Sequence, residues 1–441
     1  MGYPVHSDQV RAEIEKKLGI KNAGDLFAHI PAALHKATGK DLEKPLDEFE
    51  LVERFHRIIA EGKSPLKDHC CGYGLYRHRI ALTVDHLSSR REFLTSYTPY
   101  QPEVAQGTLQ ALFEYQSLIA ILTGLPVANA SLYDGSTALV EAVRMAMRQK
   151  NLETATVFFS SGVNPRYEEV FHSYFLDAAG EKFVTTERLG SDADSGATVW
   201  RDGTPDILVV QNPHYLGVAE VAQNLAKKYP SATIIYLTTE MLSCVILESP
   251  TDWGAEIMCG EAQSLGMPVN YSGPGLGFIA ASAAYMRNMP GRLIGKTTAK
   301  DADGRETEAY VITLATREQH IRREKATSNI CSNQTLMAVR AAIFMAGLGW
   351  SGMQQLVARS MEKAHAFAAE LKAKKPAALL YPAGTVFHEV AWKSDRLDAI
   401  IDRCVGQGFY PGVRIDKNTM LSYFHDDFDP AMTQFLLNEL L

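Results

Sequence analysis

A polar turn between a buried strand and a glycine-rich loop is the part of this sequence best suited to chemistry. The apolar run 255–259 predicts a short buried strand. The polar turn 260–265 follows it and leads into the glycine-rich loop 273–277. A strand, a polar turn and a glycine-rich loop in this order are typical of an α/β enzyme whose site lies at the carboxyl ends of its strands.

The residue in this turn that would hold a cofactor is not a lysine. In pyridoxal-phosphate enzymes of the aminotransferase fold, a lysine in such a turn condenses with the cofactor aldehyde. Gln263 stands at that place in this chain and is followed by Ser264. Because an amide does not form an imine, we expect no covalently held cofactor at this turn.

Residues 92–103 form a second stretch with candidate site residues. Pro99 and Pro102 fix two φ angles and restrict the residue before each of them, which predicts a stiff, extended loop. Such a loop would display polar side chains at a binding rim. The candidates are Tyr97, Tyr100, Gln101 and Glu103. The alternative is a rigid connector whose tyrosine rings pack inward.

A small polar turn precedes the helix predicted to end near Lys150. The free amides and the positive dipole end of a helix N-terminus favour an anion, so this turn could cradle a phosphate. The residues of the candidate cradle are Asp134, Gly135, Ser136 and Thr137. A plain helix cap made by Asp134, Ser136 or Thr137 would give the same pattern.

Residues 316–333 concentrate basic side chains. They form either a solvated connector or a cationic wall for an anionic cofactor or a carboxylate substrate. The arginines concerned are Arg317, Arg322 and Arg323.

The elements that must position these residues follow an α/β pattern. Short apolar runs separated by helices, such as one predicted over residues 218–228, indicate a mainly parallel sheet. The runs are 156–160, 182–185, 207–211, 233–237, 256–259 and 277–281. We predict an N-terminal helical arm over residues 1–90, a large α/β domain over 91–330 and a smaller α/β domain over 331–441.

Composition excludes several classes of function. The chain has 441 residues, a formal net charge of -7 and a sequence pI near 6.0, which gives no global reason to bind nucleic acid. Its six cysteines include no CxxC pair, as expected of reduced thiols in the cytoplasm. Without a signal-peptide core or a membrane-spanning apolar run, we expect a cytoplasmic protein with no membrane contact. Residues 300–304 resemble part of a calcium loop, but they predict a hairpin turn, and we expect no metal site.

Several long motifs in this chain resemble one family, the split P-protein of the glycine cleavage system, in its subunit 1 (alpha) form. The longest is SYTPYQPEVAQGTLQALFEYQSLIAILTGLPVANASLYDGSTAL, which begins at Ser96. The others are GEAQSLGMP with PGLGF, MPGRLIG, and TREQHIRREKATSNICSNQ.

The resemblance implies a fold-type-I, aminotransferase-like chain that pairs with a homologous subunit 2 (beta) in an alpha2beta2 heterotetramer. In that family the partner carries the lysine and the pyridoxal phosphate. The complex decarboxylates glycine and passes the aminomethyl group to the lipoyl arm of H-protein. Gln263 falls where the partner has its lysine, and Glu240-Met241 replaces the Asp-Pro that relatives often have. The resemblance also implies that the Tyr97–Glu103 residues, with Arg317, Arg322 and Arg323, shape a site at the subunit interface.

Two other hypotheses remain open from the sequence. The chain could be a stand-alone pseudoenzyme that acts as a regulatory binding protein. It could also be an independent pyridoxal-phosphate enzyme that uses another lysine, such as Lys296, if that amine lies in the cofactor cleft.

Overall fold

The computed structural model describes residues 7–31, 33–34, 44–62, 66–176, 183–270, 273–301, 303–330 and 332–441. Tyr271, Ser272 and Cys331, which belong to the motifs above, lie outside this description. The chain forms two compact units, Met1–Ser64 and Pro65–Leu441. Residues 66–90, which we assigned to the arm, therefore lie in the second unit.

The first unit is helical, as predicted. Helix α1 (Asp8–Leu18) begins at the N-cap Ser7, and α2 (Glu48–Glu61) begins at a capping box formed by Asp47 and Glu50. The acceptor side chains satisfy amides that the first helical turn leaves without a partner.

The second unit contains the remaining strands and helices. The strands are β1 (Asp68–His69), β2 (Val127–Ala128), β3 (Ala155–Phe159), β4 (Val184–Arg188), β5 (Ile207–Gln211), β6 (Thr233–Thr238), β7 (Ile257–Glu261), β8 (Gly277–Ala281), β9 (Leu293–Lys300), β10 (Glu306–Thr313), β11 (Glu389–Lys393), β12 (Phe409–Tyr410), β13 (Val413–Arg414) and β14 (Thr419–Tyr423). The helices are α3 (Leu82–Ser88), α4 (Arg91–Leu94), α5 (Gln106–Thr123), α6 (Gly135–Lys150), α7 (Pro165–Tyr174), α8 (Leu225–Lys228), α9 (Gln319–Arg322), α10 (Thr335–Lys374), α11 (Leu397–Gly406) and α12 (Pro430–Leu440).

The central sheet has seven strands in the order β2-β8-β7-β6-β5-β3-β4. Strands β3 to β7 pair in parallel, and β8 and β2 close one edge in antiparallel orientation. The predicted mainly parallel sheet is confirmed. All six runs named from the sequence contain one of its strands.

Both faces of this sheet are buried, which explains the apolar runs. Along β5, Leu208 and Val210 join one hydrophobic core, while Ile207 and Val209 join the other. This alternation follows from the two-residue period of a strand. Helices α5 and α10 contribute to the first core, and α6 and α7 to the second.

One predicted helix is wrong. Residues 218–228 are helical only in α8. Val218 instead forms a bridge with Val386, and Ala219 donates its amide to the carbonyl of Thr385. Hydrogen bonds to a distant part of the chain have overridden the local helical preference.

Two smaller sheets complete the second unit beside the central one. Strands β9 and β10 form the antiparallel hairpin predicted around residues 300–304. Strands β11, β14 and β13 form a C-terminal sheet that shares a core with α11 and α12. Strand β1 pairs in parallel with β12, which ties residues 68–69 to the C-terminal region.

Helix α10 is long and apolar enough to cross a membrane. Its helical geometry is interrupted at Gly349, where φ is +63° and ψ is 178°. It packs against α3, α5 and α12. Helices with these features also occur as core helices of soluble α/β proteins.

The turn after β7 depends on Gly260, which generates a prediction. A Cβ atom there would lie 1.8 Å from the carbonyl oxygen of Thr238, and the φ of Gly260 is +151°. We expect Gly260→Ala to lower the free energy of unfolding by about 3 kcal/mol or more, since a central strand must shift. Urea denaturation measures the change.

Gly347→Ala is the matched control, because a Cβ at this exposed position of α10 meets nothing within 4 Å. It should stabilise the chain by up to about 1 kcal/mol. Equal effects of the two substitutions would contradict the proposed clash.

Candidate functional site

Gln263 lies buried in the turn after β7 and is fully engaged with the main chain. Its Oε1 accepts a hydrogen bond from the Tyr76 amide at 2.9 Å, and its Nε2 donates to the Tyr76 carbonyl at 3.1 Å. The same Nε2 donates to the Met267 carbonyl at 2.5 Å. The side chain at the lysine position therefore fastens the segment around Tyr76 to the sheet.

Glu261, at the end of β7, occupies the N-terminus of α6. Its carboxylate accepts hydrogen bonds from the amides of Gly135 at 3.0 Å, Leu276 at 2.7 Å and Gln263 at 3.0 Å. Burial raises the pKa of Glu261 to about 7, although these three amide donors oppose the rise. The sequence analysis did not identify this residue as part of the site.

Asp134 caps the same helix. Its Oδ1 accepts from the amides of Ser136 at 2.8 Å and Thr137 at 2.9 Å, and from the Ser136 hydroxyl at 2.5 Å. Asp134 is thus the N-cap that the sequence analysis offered as the alternative to a phosphate cradle.

These contacts test whether the turn suits pyridoxal phosphate, and it does not. The amides of Gly135, Ser136 and Thr137 are all bonded to carboxylates of the chain itself. A phosphate would need those donors and would also meet the negative charge of Asp134 and Glu261. With an amide at position 263, the described residues here offer neither an anchoring amine nor an open anion site.

Glu240, which follows β6, is also committed to partners within the chain. Its Oε2 lies 2.9 Å from His78 Nε2 and 3.3 Å from His388 Nε2, and its Oε1 accepts from the Leu242 amide. Burial alone would raise the pKa of Glu240, but the two imidazoles hold it well below its ordinary value.

Tyr76 links the Gln263 contact to the C-terminal sheet. Its hydroxyl donates to Glu389 Oε2 at 2.8 Å, and Oε1 of the same carboxylate accepts from the Tyr73 amide at 2.7 Å. Burial raises the pKa of Glu389 to about 7 against these two donors. The segment around Tyr76 is therefore fixed at its main chain and at its side chain.

The predicted loop at residues 92–103 has a different character, because its polar side chains are exposed. The side chains of Tyr97 and Tyr100 are 75% and 47% exposed, and Gln101 and Glu103 are exposed as well. The loop lines an open groove of about 810 Å³. Its tyrosines do not pack inward, so the connector alternative does not describe them.

Of the three predicted arginines, Arg317 lies in a structural position. It is half-buried and donates to the carbonyls of Leu314 at 3.1 Å and Gly291 at 3.3 Å, and to that of Met289. Arg322 and Arg323 are exposed. No hydrogen bond or ion pair described for these three residues joins them to the tyrosine loop.

Sequence reasoning missed the arginine that does approach the loop. Arg292 Nη2 lies 3.3 Å from the Tyr100 hydroxyl, and its guanidinium carbon lies 5.5 Å from the centre of the Tyr100 ring. It belongs to the MPGRLIG motif, whose one charged residue was the available signal.

Lys296, the alternative anchoring lysine, stands on β9 and is about half exposed, where it forms an ion pair with Glu308. An exposed hairpin position does not provide the cofactor cleft that the alternative requires. The five described cysteines are free, as expected.

A lysine restored at position 263 should not capture the cofactor. In Gln263→Lys, the ammonium cannot reproduce the acceptor for the Tyr76 amide, and Glu261 still occupies the helix terminus. After incubation with pyridoxal phosphate and borohydride reduction, we expect mass spectrometry to find no stoichiometric adduct at residue 263. Gln263→Met, which removes the same hydrogen bonds without adding an amine, is the control. A 1:1 adduct would refute the blocked-site interpretation.

Glu261 should impose a specific pH dependence on stability. Its pKa is about 7 in the folded chain against an ordinary 4.5, so the folded state binds the proton more tightly. The contribution of Glu261 to stability is therefore full below pH 4.5 and falls as the pH rises toward 7. Relative to Glu261→Gln, the wild type should lose unfolding free energy across this window, as urea denaturation at several pH values would show. A constant difference between the two proteins would disprove the raised pKa.

Comparisons with known proteins come from three directions. The family model of the glycine cleavage system P-protein matches residues 3–410. A protein of Caulobacter vibrioides named probable glycine dehydrogenase (decarboxylating) subunit 1 is 42% identical over 426 residues, covering 95% of this chain and 92% of that protein. A crystal structure of the glycine decarboxylase (P-protein) of the glycine cleavage system, in inhibitor-bound form, matches with a TM-score of 0.83 and 35% identity over 100% of both chains.

A more distant structure, Lactobacillus brevis glutamate decarboxylase, shares the fold alone. Its TM-score is 0.62 at 13% identity, covering 91% of this chain and 93% of that one. The predicted fold-type-I, aminotransferase-like class is confirmed. The chain belongs to the glycine cleavage system P-protein family, among the proteins named glycine dehydrogenase (decarboxylating) subunit 1.

Proposed function

We propose that this chain is the subunit of a two-subunit glycine decarboxylase that does not anchor the cofactor. A homologous subunit 2 would carry the lysine and the pyridoxal phosphate, in an alpha2beta2 heterotetramer of the cytoplasm. The complex would release carbon dioxide from glycine and transfer the aminomethyl group to the lipoyl group of H-protein.

One observation carries this proposal, namely that the chain has closed its own cofactor position. Gln263 binds the main chain of Tyr76 where a lysine amine would be required, and Glu261 takes the helix terminus where a phosphate would bind. A member of a decarboxylase family with this arrangement needs a second chain to supply the reactive group.

The contribution of this chain would come from the exposed tyrosine loop. The hydroxyls of Tyr97 and Tyr100 and the amide of Gln101 are neutral hydrogen-bonding groups that can orient a substrate carboxylate. A direct ion pair would hold that carboxylate more strongly, but it would also oppose its loss as carbon dioxide. Neutral donors at the rim suit a decarboxylation better. The Glu103 carboxylate and the exposed Arg322 and Arg323 remain candidates for contacts with the partner.

The surface beside the groove also favours a protein partner. Val104 in this loop is 82% exposed, and Leu94 and Leu82 on the preceding helices are exposed as well. Exposed apolar side chains next to polar ones are typical of an interaction site. We therefore place the subunit 2 interface at this surface.

The test is reconstitution of the pair. This chain and the matching subunit 2 are co-expressed, separated by size exclusion and assayed for glycine–bicarbonate exchange with lipoylated H-protein, and each subunit is also assayed alone. Activity found only in the co-eluting pair supports the proposal. A chain that elutes alone and leaves the activity of subunit 2 unchanged would instead favour the regulatory pseudoenzyme.

Tyr100→Phe tests the role of the loop. The substitution removes one hydroxyl and little packing, so turnover of the pair should fall about tenfold while unfolding free energy changes by less than about 0.5 kcal/mol. Tyr174→Phe is the matched control, because this tyrosine of α7 is 44% exposed, which is close to the exposure of Tyr100. Unchanged turnover in Tyr100→Phe would remove this tyrosine from the site.

A further inference from the structure

Arg292 is a buried cation under an exposed tyrosine. Its side chain is only 3% exposed, whereas Tyr100 is about half exposed at the groove. Arg292 Nη2 lies 3.3 Å from the Tyr100 hydroxyl, and the guanidinium lies over the Tyr100 ring. A ligand in the groove would therefore meet the tyrosine, and the arginine would act through it.

The arginine is held in place from the sheet side. Its Nη1 donates to Asn333 Oδ1 at 2.9 Å, and Asn333 Nδ2 donates to the Ala130 carbonyl at 2.7 Å. The carbonyl of Arg292 accepts from the Ala130 amide, and its Nε lies 3.9 Å from a Glu318 carboxylate oxygen. These contacts link Arg292 to β9, to the start of α10 and to the loop after β2.

The chemistry of a guanidinium fixes the direction of the Tyr100 hydrogen bond. Arginine has donors and no acceptor, so the tyrosine oxygen must accept in this contact. The hydroxyl hydrogen then points away from Arg292 and toward another acceptor. A guanidinium above the ring also limits rotation of the ring, since the attraction depends on the ring face.

We propose that Arg292 is a positioning residue that holds Tyr100 as a hydrogen-bond donor to the carboxylate of the amino-acid substrate. The inference rests on the proposed function. It adds that the ligand presents an oxygen acceptor to Tyr100, and that the selectivity for an acceptor originates in a residue the ligand does not touch.

A double-mutant cycle on the reconstituted pair tests this coupling. The variants are Arg292→Lys, Tyr100→Phe and the combination of both, assayed for glycine–bicarbonate exchange. Arg292→Lys alone should lower kcat/KM about tenfold, because the planar donor fork is lost. In the Tyr100→Phe background the same change should cost less than about twofold, since the hydroxyl it positions is already absent.

Arg340→Lys is the matched control for the cycle. Arg340 is also largely buried and binds the Gly266 carbonyl, the Ser88 hydroxyl and Asp85, with no described contact to the tyrosine loop. Any loss it causes should be the same in the wild-type and Tyr100→Phe backgrounds. Asn333→Ala provides a second probe that keeps the arginine but removes the acceptor for its Nη1, should Arg292→Lys fold poorly.

A readout independent of activity comes from 3-fluorotyrosine at position 100 of the chain. Arg292→Lys should shift and sharpen its ¹⁹F resonance as the ring gains mobility, whereas Arg340→Lys should leave the resonance unchanged. Additive losses in an active pair, or an unchanged resonance, would overturn the role of Arg292 and leave the proposed function standing. A wild-type pair without exchange activity would overturn both.

Discussion

The structure depends on a single amide that bonds to a main chain nearly two hundred residues away. Gln263 satisfies both the amide and the carbonyl of Tyr76, as a neighbouring strand residue would. Each of these buried main-chain groups would cost about 1–3 kcal/mol if left without a partner. A lysine offers only donors and could not satisfy both. The residue that removes cofactor chemistry from this turn is therefore the one that secures the segment around Tyr76.

Three buried carboxylates extend the same logic. Glu261 binds main-chain amides at the start of α6, Glu240 binds two imidazoles, and Glu389 binds the amide of Tyr73 and the hydroxyl of Tyr76. A buried carboxylate is tolerated only when such donors surround it. Because these donors are used internally, the position at which relatives of this fold bind a phosphate and a pyridine ring has become a structural core in this chain.

The exposed loop with Tyr97 and Tyr100 contrasts with this closed interior. Prolines stiffen the loop, and Arg292 contacts Tyr100 from below, so the aromatic side chains are presented to a wide groove at little cost in conformational entropy. A rigid donor surface of this kind needs a second component to face. The division between a closed cofactor position and a presented loop is what the proposed pairing with subunit 2 would use.

The sequence by itself determined the strands of the central sheet, the cap of α6 and the replacement of a lysine by Gln263, because periodicity, capping and residue identity are local properties. It did not reveal the partners of Gln263, the role of Glu261 or the contact between Arg292 and Tyr100. Those contacts join residues 187, 126 and 192 positions apart. Likewise, residues 218–228 were predicted as a helix, but pairing with Thr385 and Val386 makes most of them extended or irregular. Only the tertiary structure decided these points, since a buried polar group takes whichever partner the packing of distant segments brings within hydrogen-bonding distance.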